Sequence, residues 1–103
     1  MAQVQVTTWR DLPSMVIARR GEESVKVLLP ARFQEAIDEA AMRLGENDAT
    51  AYLHGWGRSE WEAAPGDPAT AAQARADLLE ALWSPDAVSA YLEGLGASAD
   101  PGD

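Results

Sequence analysis

The chain has no cysteine and a single histidine, His54, among its 103 residues. The lack of cysteine excludes disulfides, thiolate nucleophiles and Cys-ligated metals, and it is typical of proteins in a reducing compartment. One imidazole cannot complete a triad of nucleophile, base and orienting group around each of several serines. We therefore expect no metal, no cofactor and no enzymatic activity. Catalysis or metal binding by His54, with Tyr52, Arg58 or Glu60 beside it, is the alternative.

The sequence also lacks a phosphate-binding turn and a dense acidic loop. The glycines Gly21, Gly55 and Gly57 match neither the P-loop nor the dinucleotide-binding motif. Those motifs need several glycines in a turn between a strand and a helix. The acidic residues follow the spacing of helix surfaces or helix caps rather than the alternation of a calcium-binding loop. The sequence therefore gives no indication of a nucleotide or metal site.

Lysine is nearly absent, and the positive charge is confined to one part of the chain. The net charge is -9; residues 1–58 contain seven basic and eight acidic residues, whereas residues 59–103 contain one basic and nine acidic residues. A protein of this composition is a poor ligand for nucleic acid or an anionic membrane, because phosphates must be met by Lys and Arg. An electrically complementary protein is the expected partner.

No apolar run approaches the roughly 20 residues needed to cross a bilayer. The first residues, MAQVQVTTW, alternate polar and apolar side chains instead of placing an apolar stretch after a basic one, as a signal peptide does. We expect a soluble cytoplasmic protein.

The first strand is predicted over residues 3–9, where polar and apolar residues alternate. A period of two places Val4 and Val6 on one face and Trp9 with the glutamines on the other. Pro13 has no N–H to donate, so it predicts a turn or a bulged start to the next strand.

Two further strands form a predicted hairpin. The second strand is predicted over residues 14–19, and its run at residues 15–18 is apolar on both faces, which indicates a central or doubly covered strand. Gly21 supplies the turn to a third strand over residues 24–29. A short fourth strand at an edge is predicted over residues 59–63.

Four helices are predicted, over residues 31–44, 48–56, 68–83 and 85–95, with Asn47 or Asp48, Asp67 and Ser84 as N-terminal caps and Gly45 as a C-terminal cap. Each has apolar residues at three- and four-residue spacing, which predicts the face turned to the core. The predicted inward residues are Phe33, Ala36, Ile37, Ala40, Ala41 and Leu44; Ala49, Tyr52, Leu53 and Trp56; Ala71, Ala74, Leu78 and Leu82; and Val88, Tyr91, Leu92 and Leu95.

Together these elements predict an α+β fold, a small antiparallel sheet of three to four strands covered on one side by helices, in the order β-β-β-α-α-(β)-α-α. Residues 1–95 form the single predicted domain. Residues 96–103 contain no apolar side chain larger than alanine, and we expect a disordered acidic tail.

Tryptophan is the enriched residue type, with four in the chain. Trp83, at a helix corner, is predicted to belong to the core. The others lie beside charged residues, and aromatic side chains with arginine are typical of interface hot spots. The predicted partner-binding residues are Trp9, Arg10, Asp11, Tyr52, Trp56, Arg58 and Trp61.

Three blocks in order resemble the small bacterial virulence factor domain family, and also a segment of the conserved virulence factor C proteins. The blocks are WRDLP at residues 9–13, LPARF at 29–33 leading into AIDEAAM at 36–42, and AYLHGWGR at 51–58. The resemblance covers about residues 3–65. The family's name records a phenotype and no reaction.

The domains and genes found next to relatives of this family imply an adaptor or accessory role. Larger relatives join this domain to an iron-sulfur-scaffold-like segment and helical repeats, and small relatives tend to be encoded near folate- or corrinoid-dependent one-carbon enzymes. We expect a non-catalytic accessory domain that binds a larger cytoplasmic enzyme or scaffold. The alternative is a small-ligand or cofactor-binding module whose pocket is lined by Trp9, Trp56 and Trp61.

Overall fold

The computed structural model describes residues 1–45 and 48–98, and the order of its elements confirms the predicted α+β fold. In chain order, the elements are β1 (Ala2–Trp9), β2 (Leu12–Arg20), β3 (Glu23–Leu28), α1 (Ala31–Arg43), α2 (Ala49–His54), β4 (Trp56–Arg58), β5 (Glu62–Ala64), α3 (Pro68–Leu82) and α4 (Pro85–Ser98). The strands form one antiparallel sheet with the order β3-β2-β1-β4, and β5 also pairs with β1.

The irregularity predicted at Pro13 is present as a β-bulge. Thr7 pairs with Met15 and Thr8 with Pro13, so Ser14 is an extra residue on β2. Its carbonyl accepts a hydrogen bond from the backbone N–H of Leu29 at 3.1 Å, which secures the chain just beyond β3. The missing N–H of proline accounts for the break in the ladder, as expected.

The predicted fourth strand over residues 59–63 is replaced by two short strands, β4 and β5, on either side of Ser59. The backbone N–H of Val6 donates to the side-chain oxygen of Ser59 at 2.9 Å, and the Ser59 N–H donates to the Val6 carbonyl at 2.9 Å. The serine hydroxyl thus takes the place of a backbone acceptor and interrupts the ladder without leaving the Val6 N–H unpaired. Both strands therefore pair with β1.

One face of the sheet is covered by α3 and the start of α1. Alternate strand residues point toward these helices and form a buried cluster, in which small alanines of α3 allow the helix to lie close to the strands. The buried members are Ala2, Val4, Val6, Val16, Ala18, Leu29, Phe33, Ala71, Ala72 and Ala76.

The predicted inward stripe of α3 is wrong in part. Ala71 is buried, but Ala74 is exposed, and Leu78 and Leu82 are 51% and 62% exposed. The stripe that packs on the sheet contains Ala72, Ala76 and Leu79 and ends at Trp83. Because α3 carries apolar residues around most of its circumference, more than one stripe satisfies three- and four-residue spacing.

A second cluster joins α1 to α4 and to the end of the β1–β2 hairpin. The inward residues predicted for α1 and α4 are confirmed, and Trp83 packs edge-on against Tyr91 with ring centroids 5.3 Å apart, as a core residue. The buried members are Trp9, Leu12, Ala36, Ile37, Ala40, Ala41 and Val88, with Leu44, Tyr52, Trp56, Trp83, Tyr91, Leu92 and Leu95 packed against them.

The helix caps predicted from the sequence are confirmed. The carboxylate of Asp67 accepts from the backbone N–H of Thr70 at 2.7 Å, and this bond lowers the pKa of Asp67. Asp48 caps α2 and Ser84 caps α4 in the same way. Each side chain accepts from the backbone N–H of the residue three positions later, Ala51 and Ala87 respectively. The alternative cap at Asn47 lies outside the described residues.

The end of α1 agrees with the sequence prediction, whereas α4 is longer than predicted. Gly45 follows α1 with a φ of 70°, the left-handed conformation expected of a C-terminal glycine. Helix α4 continues to Ser98, and the rest of the predicted tail, residues 99–103, lies outside the described residues. No helix within the described part of the chain is both long and apolar enough to cross a membrane.

Candidate functional site

Trp9 lies at the end of β1, where it is completely buried. Its indole N–H donates to the carbonyl of Tyr52 at 2.7 Å, and its ring stacks on the Tyr52 ring with centroids 5.8 Å apart. By strand alternation Trp9 follows the glutamines, but at this end of the sheet it is enclosed by Tyr52, Gly55 and the second cluster. Trp9 therefore supports the surface from beneath and does not form part of it.

Gly55 and Trp56 complete an aromatic cluster with Trp9 and Tyr52, which we call the tip cluster. A Cβ atom added at Gly55 would lie 2.4 Å from the Cε2 and Nε1 atoms of Trp9, so the backbone passes directly against the indole. Trp56 pairs with Trp9 across the strands and packs edge-on against Tyr52 with centroids 5.9 Å apart. The chain thus enters β4 at Trp56, which the sequence placed on α2. Leu53, also predicted to face inward, is 65% exposed.

Arg10 and Asp11 form the turn between β1 and β2. Arg10 has a φ of 53°, a left-handed conformation that is uncommon for a residue with a side chain. Its backbone N–H donates to the Gly55 carbonyl at 2.7 Å, and its guanidinium lies 5.5 Å from the Trp9 ring centroid. The tip cluster therefore fixes the turn.

Asp11 joins the turn to α4 by accepting a hydrogen bond from the Tyr91 hydroxyl at 3.1 Å. Burial and, next, the negative charge of Asp11 raise the pKa of Tyr91 above its usual value. A raised pKa favours the neutral phenol in the folded protein. This contribution to stability is present below pH about 10 and is lost as the pH rises through the folded-state pKa.

We expect Asp11→Asn to lower the pKa of Tyr91, because it removes the negative charge beside the phenol. The measurement is an ultraviolet absorbance titration of each variant, with Tyr91→Phe to identify the Tyr91 signal. Asp38→Asn, which neutralises an exposed acid on α1, should leave the Tyr91 titration unchanged. An unaltered titration in Asp11→Asn would contradict the assigned cause.

Within the described part of the chain, no helix lies over the central strands on the sheet face opposite α3, and we call this the open face. The register aligns Arg58, Thr7, Met15 and Leu28 in one row across four strands. Neither Met15, Ile17 nor Leu28 belongs to a hydrophobic cluster, and Leu28 is 74% exposed. The strand residues of the open face are Gln3, Gln5, Thr7, Met15, Ile17, Arg19, Ser24, Lys26, Leu28, Arg58 and Ala63.

A groove of about 370 Å³ lies at the edge of the open face next to the bulge. Its lining combines an arginine, two hydroxyls and two large apolar side chains. The hydroxyl of Thr7 is buried and makes no hydrogen bond within the described part of the chain. The lining residues are Thr7, Ser14, Met15, Trp56, Gly57 and Arg58.

The three cations of the open face have no carboxylate partner among the described residues. Arg19 donates to the side chain of Gln3 at 3.1 Å and lies 3.8 Å over the Trp61 ring, while Lys26 and Arg58 form no ion pair there. Other arginines are paired with acids, as in Arg20–Glu23, Arg43–Glu39 and Arg75–Glu62. No strand residue named on the open face is acidic.

The seven predicted partner-binding residues thus divide between two adjoining places. Trp9, Arg10, Asp11, Tyr52 and Trp56 lie at the hairpin tip, and Arg58 and Trp61 lie on the open face. Trp56 connects the two, because it belongs to the tip cluster and lines the groove.

Sequence reasoning missed Thr7, Met15, Lys26 and Leu28 as residues of the open face. The apolar run that contains Met15 and Ile17 predicts a central or doubly covered strand; β2 is an inner strand, but within residues 1–45 and 48–98 helices cover only one of its faces in this region. A continuous apolar run shows which residues are apolar and not whether a second layer covers them.

His54 ends α2 as an exposed residue. Within residues 1–45 and 48–98, no three histidine, aspartate or glutamate side chains are grouped closely enough to hold a metal ion.

The structure defines a small α+β domain whose sheet is left open on one face, with an aromatic cluster at one end. Within that class the chain belongs to the virulence factor family, which it matches over residues 7–91, and this confirms the resemblance seen in the sequence. The match includes the hairpin tip and the groove. No curated protein and no solved structure matches the chain significantly.

Proposed function

We propose that this chain is a non-catalytic accessory domain that docks on a larger cytoplasmic protein through its open face. The observation that supports the proposal is the isolation of positive charge on that face. Arg19, Lys26 and Arg58 surround the apolar side chains of Met15 and Ile17, in a protein whose net charge is -9. Interfaces commonly have an apolar centre and a polar rim of this kind.

The absence of carboxylate partners for these three described cations is informative because the chain is rich in acidic residues. With 17 acidic and eight basic residues, an exposed base has many potential partners within its own chain. Strand alternation separates them, because Glu23 and Glu62 lie at strand positions that point to the α3 side, while Lys26 and Arg58 point to the open side. A partner surface that is acidic and partly apolar would complement this face in charge and in polarity.

The family resemblance suggests where to look for the partner. Small relatives tend to be encoded near folate- or corrinoid-dependent one-carbon enzymes, so a subunit of such an enzyme is the first candidate. The chemistry of the open face supports docking on a protein in general, whereas the choice of a one-carbon enzyme rests on the family resemblance alone.

The decisive experiment removes charge from the open face without disturbing the fold. The tagged domain should retrieve one stoichiometric protein from its native host, and binding of the purified pair is then measured by surface plasmon resonance. We expect Lys26→Gln with Arg58→Gln to slow association by roughly tenfold and to reduce its salt dependence, because rim charges act mainly on the association rate.

The matched control is Arg20→Gln with Arg43→Gln, which also removes two positive charges but from outside the open face. These arginines form exposed ion pairs, which contribute little to stability. Arg43 also donates to the carbonyl of Leu92 on α4 at 3.1 Å, so circular dichroism is used to verify the fold of the control variant. Equal loss of binding in both double variants would mean that net charge alone governs association. Undiminished binding in the first would exclude the open face.

A second function, binding of a small ligand, is favoured by the groove beside Arg58. Of the three tryptophans predicted to line such a pocket, only Trp56 does so; Trp9 lies buried in the tip cluster and Trp61 lies under Arg19. Titration of the domain with folates, corrinoids and nucleotides, followed by tryptophan fluorescence, tests this function. Saturable quenching that Trp56→Phe removes would support it.

A further inference from the structure

We propose that the groove beside Arg58 binds a carboxylate, the side chain of an aspartate or glutamate on the docked partner. The inference rests on the proposed function and specifies its chemistry. The apolar residue next to that carboxylate would pack against Met15 and Trp56, which form the apolar part of the groove.

The cation in the groove is suited to a carboxylate. A guanidinium presents its N–H donors in a planar fork that matches the two oxygens of a carboxylate. The Arg58 side chain is exposed and forms no ion pair or hydrogen bond with the described residues, so its donors are available. An incoming acid therefore has no internal acid to displace.

Two hydroxyls adjoin the guanidinium. Thr7 lies directly opposite Arg58 in the register, so their Cβ atoms are about 5 Å apart, and Ser14 is the extra residue of the bulge. The Thr7 hydroxyl is buried without a hydrogen bond, a condition that is rare in folded proteins and costs about 1–3 kcal/mol. A carboxylate oxygen is an acceptor for such a donor.

The surroundings favour a protein side chain over a free anion. The lining contains a single cation, whereas two large apolar side chains form much of the rest. A phosphate would require more positive charge or several backbone donors. The groove also continues into the open face through Met15, so a chain lying across that face would pass over it.

The test uses the isotopically labelled full chain and two blocked tripeptides, acetyl-Leu-Glu-Leu-amide and acetyl-Leu-Gln-Leu-amide, in NMR titrations. The two peptides differ only in the charge and hydrogen bonding of the central side chain. We expect the glutamate peptide to bind roughly tenfold more tightly, the factor that a hydrogen-bonded charge supplies. Its largest amide shifts should fall on Thr7, Ser14 and Gly57.

Variants of the two free cations assign the preference. Arg58→Gln should reduce the ratio of the two affinities to near one, and Arg58→Lys should give an intermediate ratio, since lysine keeps the charge but not the fork. Lys26→Gln is the matched control; it removes the same charge from the same face roughly 15 Å away, three strands across the sheet, and should leave the ratio unchanged. Retained amide dispersion in each variant verifies the fold.

Several results would overturn the proposal. Equal affinity for the two peptides, shifts away from the groove, or a preference that survives Arg58→Gln would each exclude a carboxylate site at Arg58. A third titration with 4-methylpentanoate, a free acid of leucine's shape, distinguishes the sources. If it binds more tightly than the glutamate peptide, the groove is a small-molecule site and the partner side chain is the wrong occupant.

The two proposals can fail separately. If the purified partner binds the Lys26→Gln, Arg58→Gln variant as well as the wild type, while the groove still prefers the glutamate peptide, the docking function is wrong and the carboxylate site remains. If the partner requires those charges but the groove does not distinguish the peptides, docking remains and the carboxylate site is wrong.

Discussion

Replacement of Trp9 by alanine is expected to lower the free energy of unfolding by about 3–5 kcal/mol, the range for large-to-small aromatic substitutions in a core. Trp9 is fully buried, so its removal leaves a cavity among Leu12, Tyr52 and Gly55. The substitution also leaves the Tyr52 carbonyl without the indole donor now 2.7 Å away. Urea denaturation followed by circular dichroism measures the loss.

The same substitution at Trp61 is the matched control. Trp61 is only half-buried and its described contact is with Arg19, so Trp61→Ala should cost about 1 kcal/mol or less. Comparable losses at the two positions would contradict the assignment of Trp9 to the core and of Trp61 to the open face. The comparison matters for function, because a partner can contact Trp61 directly but not Trp9.

The fold was largely predictable because its determinants are local. Asp67 followed by Pro68 specifies the start of α3, and Gly21 specifies the β2–β3 turn, through groups within a few residues of one another. The strand prediction around Ser59 was wrong because the two strands there depend on a hydrogen bond between Ser59 and Val6, which are 53 positions apart in the sequence. Periodicity does not encode such a pairing.

The face of α3 that enters the core was not predictable from spacing alone. Alanine and leucine occupy most positions of the helix, so several stripes satisfy three- and four-residue spacing. The buried stripe is the one whose alanines, Ala71, Ala72 and Ala76, pack on strand residues such as Val4 and Val16. Contacts with the sheet, which the spacing does not record, therefore set the rotation.

The candidate site was predicted in part, and the reason lies in how it is assembled. Aromatic and arginine residues close together in sequence indicated the hairpin tip and Arg58. The row of Arg58, Thr7, Met15 and Leu28 draws one residue from each of four strands, so it exists only once the register is known. No single segment of the sequence carries its signal.

Gly55 has a role that the sequence did not indicate, and its replacement tests the packing of the whole tip cluster. Its backbone does not adopt a positive φ, so the requirement for glycine is one of space. The Cβ atom of Gly55→Ala would meet the Trp9 indole at 2.4 Å, and the indole is confined on every side. We expect a loss of roughly 1–3 kcal/mol in the free energy of unfolding, the usual cost of overpacking.

Gly57→Ala is the control, because a Cβ atom there meets nothing within 4 Å. It should change the free energy of unfolding by less than about 0.5 kcal/mol. A double-mutant cycle then isolates the contact: in a Trp9→Phe background the ring lacks the pyrrole atoms nearest Gly55, so Gly55→Ala should cost less than in the wild type. An unchanged cost would mean that the penalty arises in the backbone of residues 54–56. Gly55 would then not be needed to make room for the Trp9 indole, which supports the groove-lining Trp56 in the tip cluster.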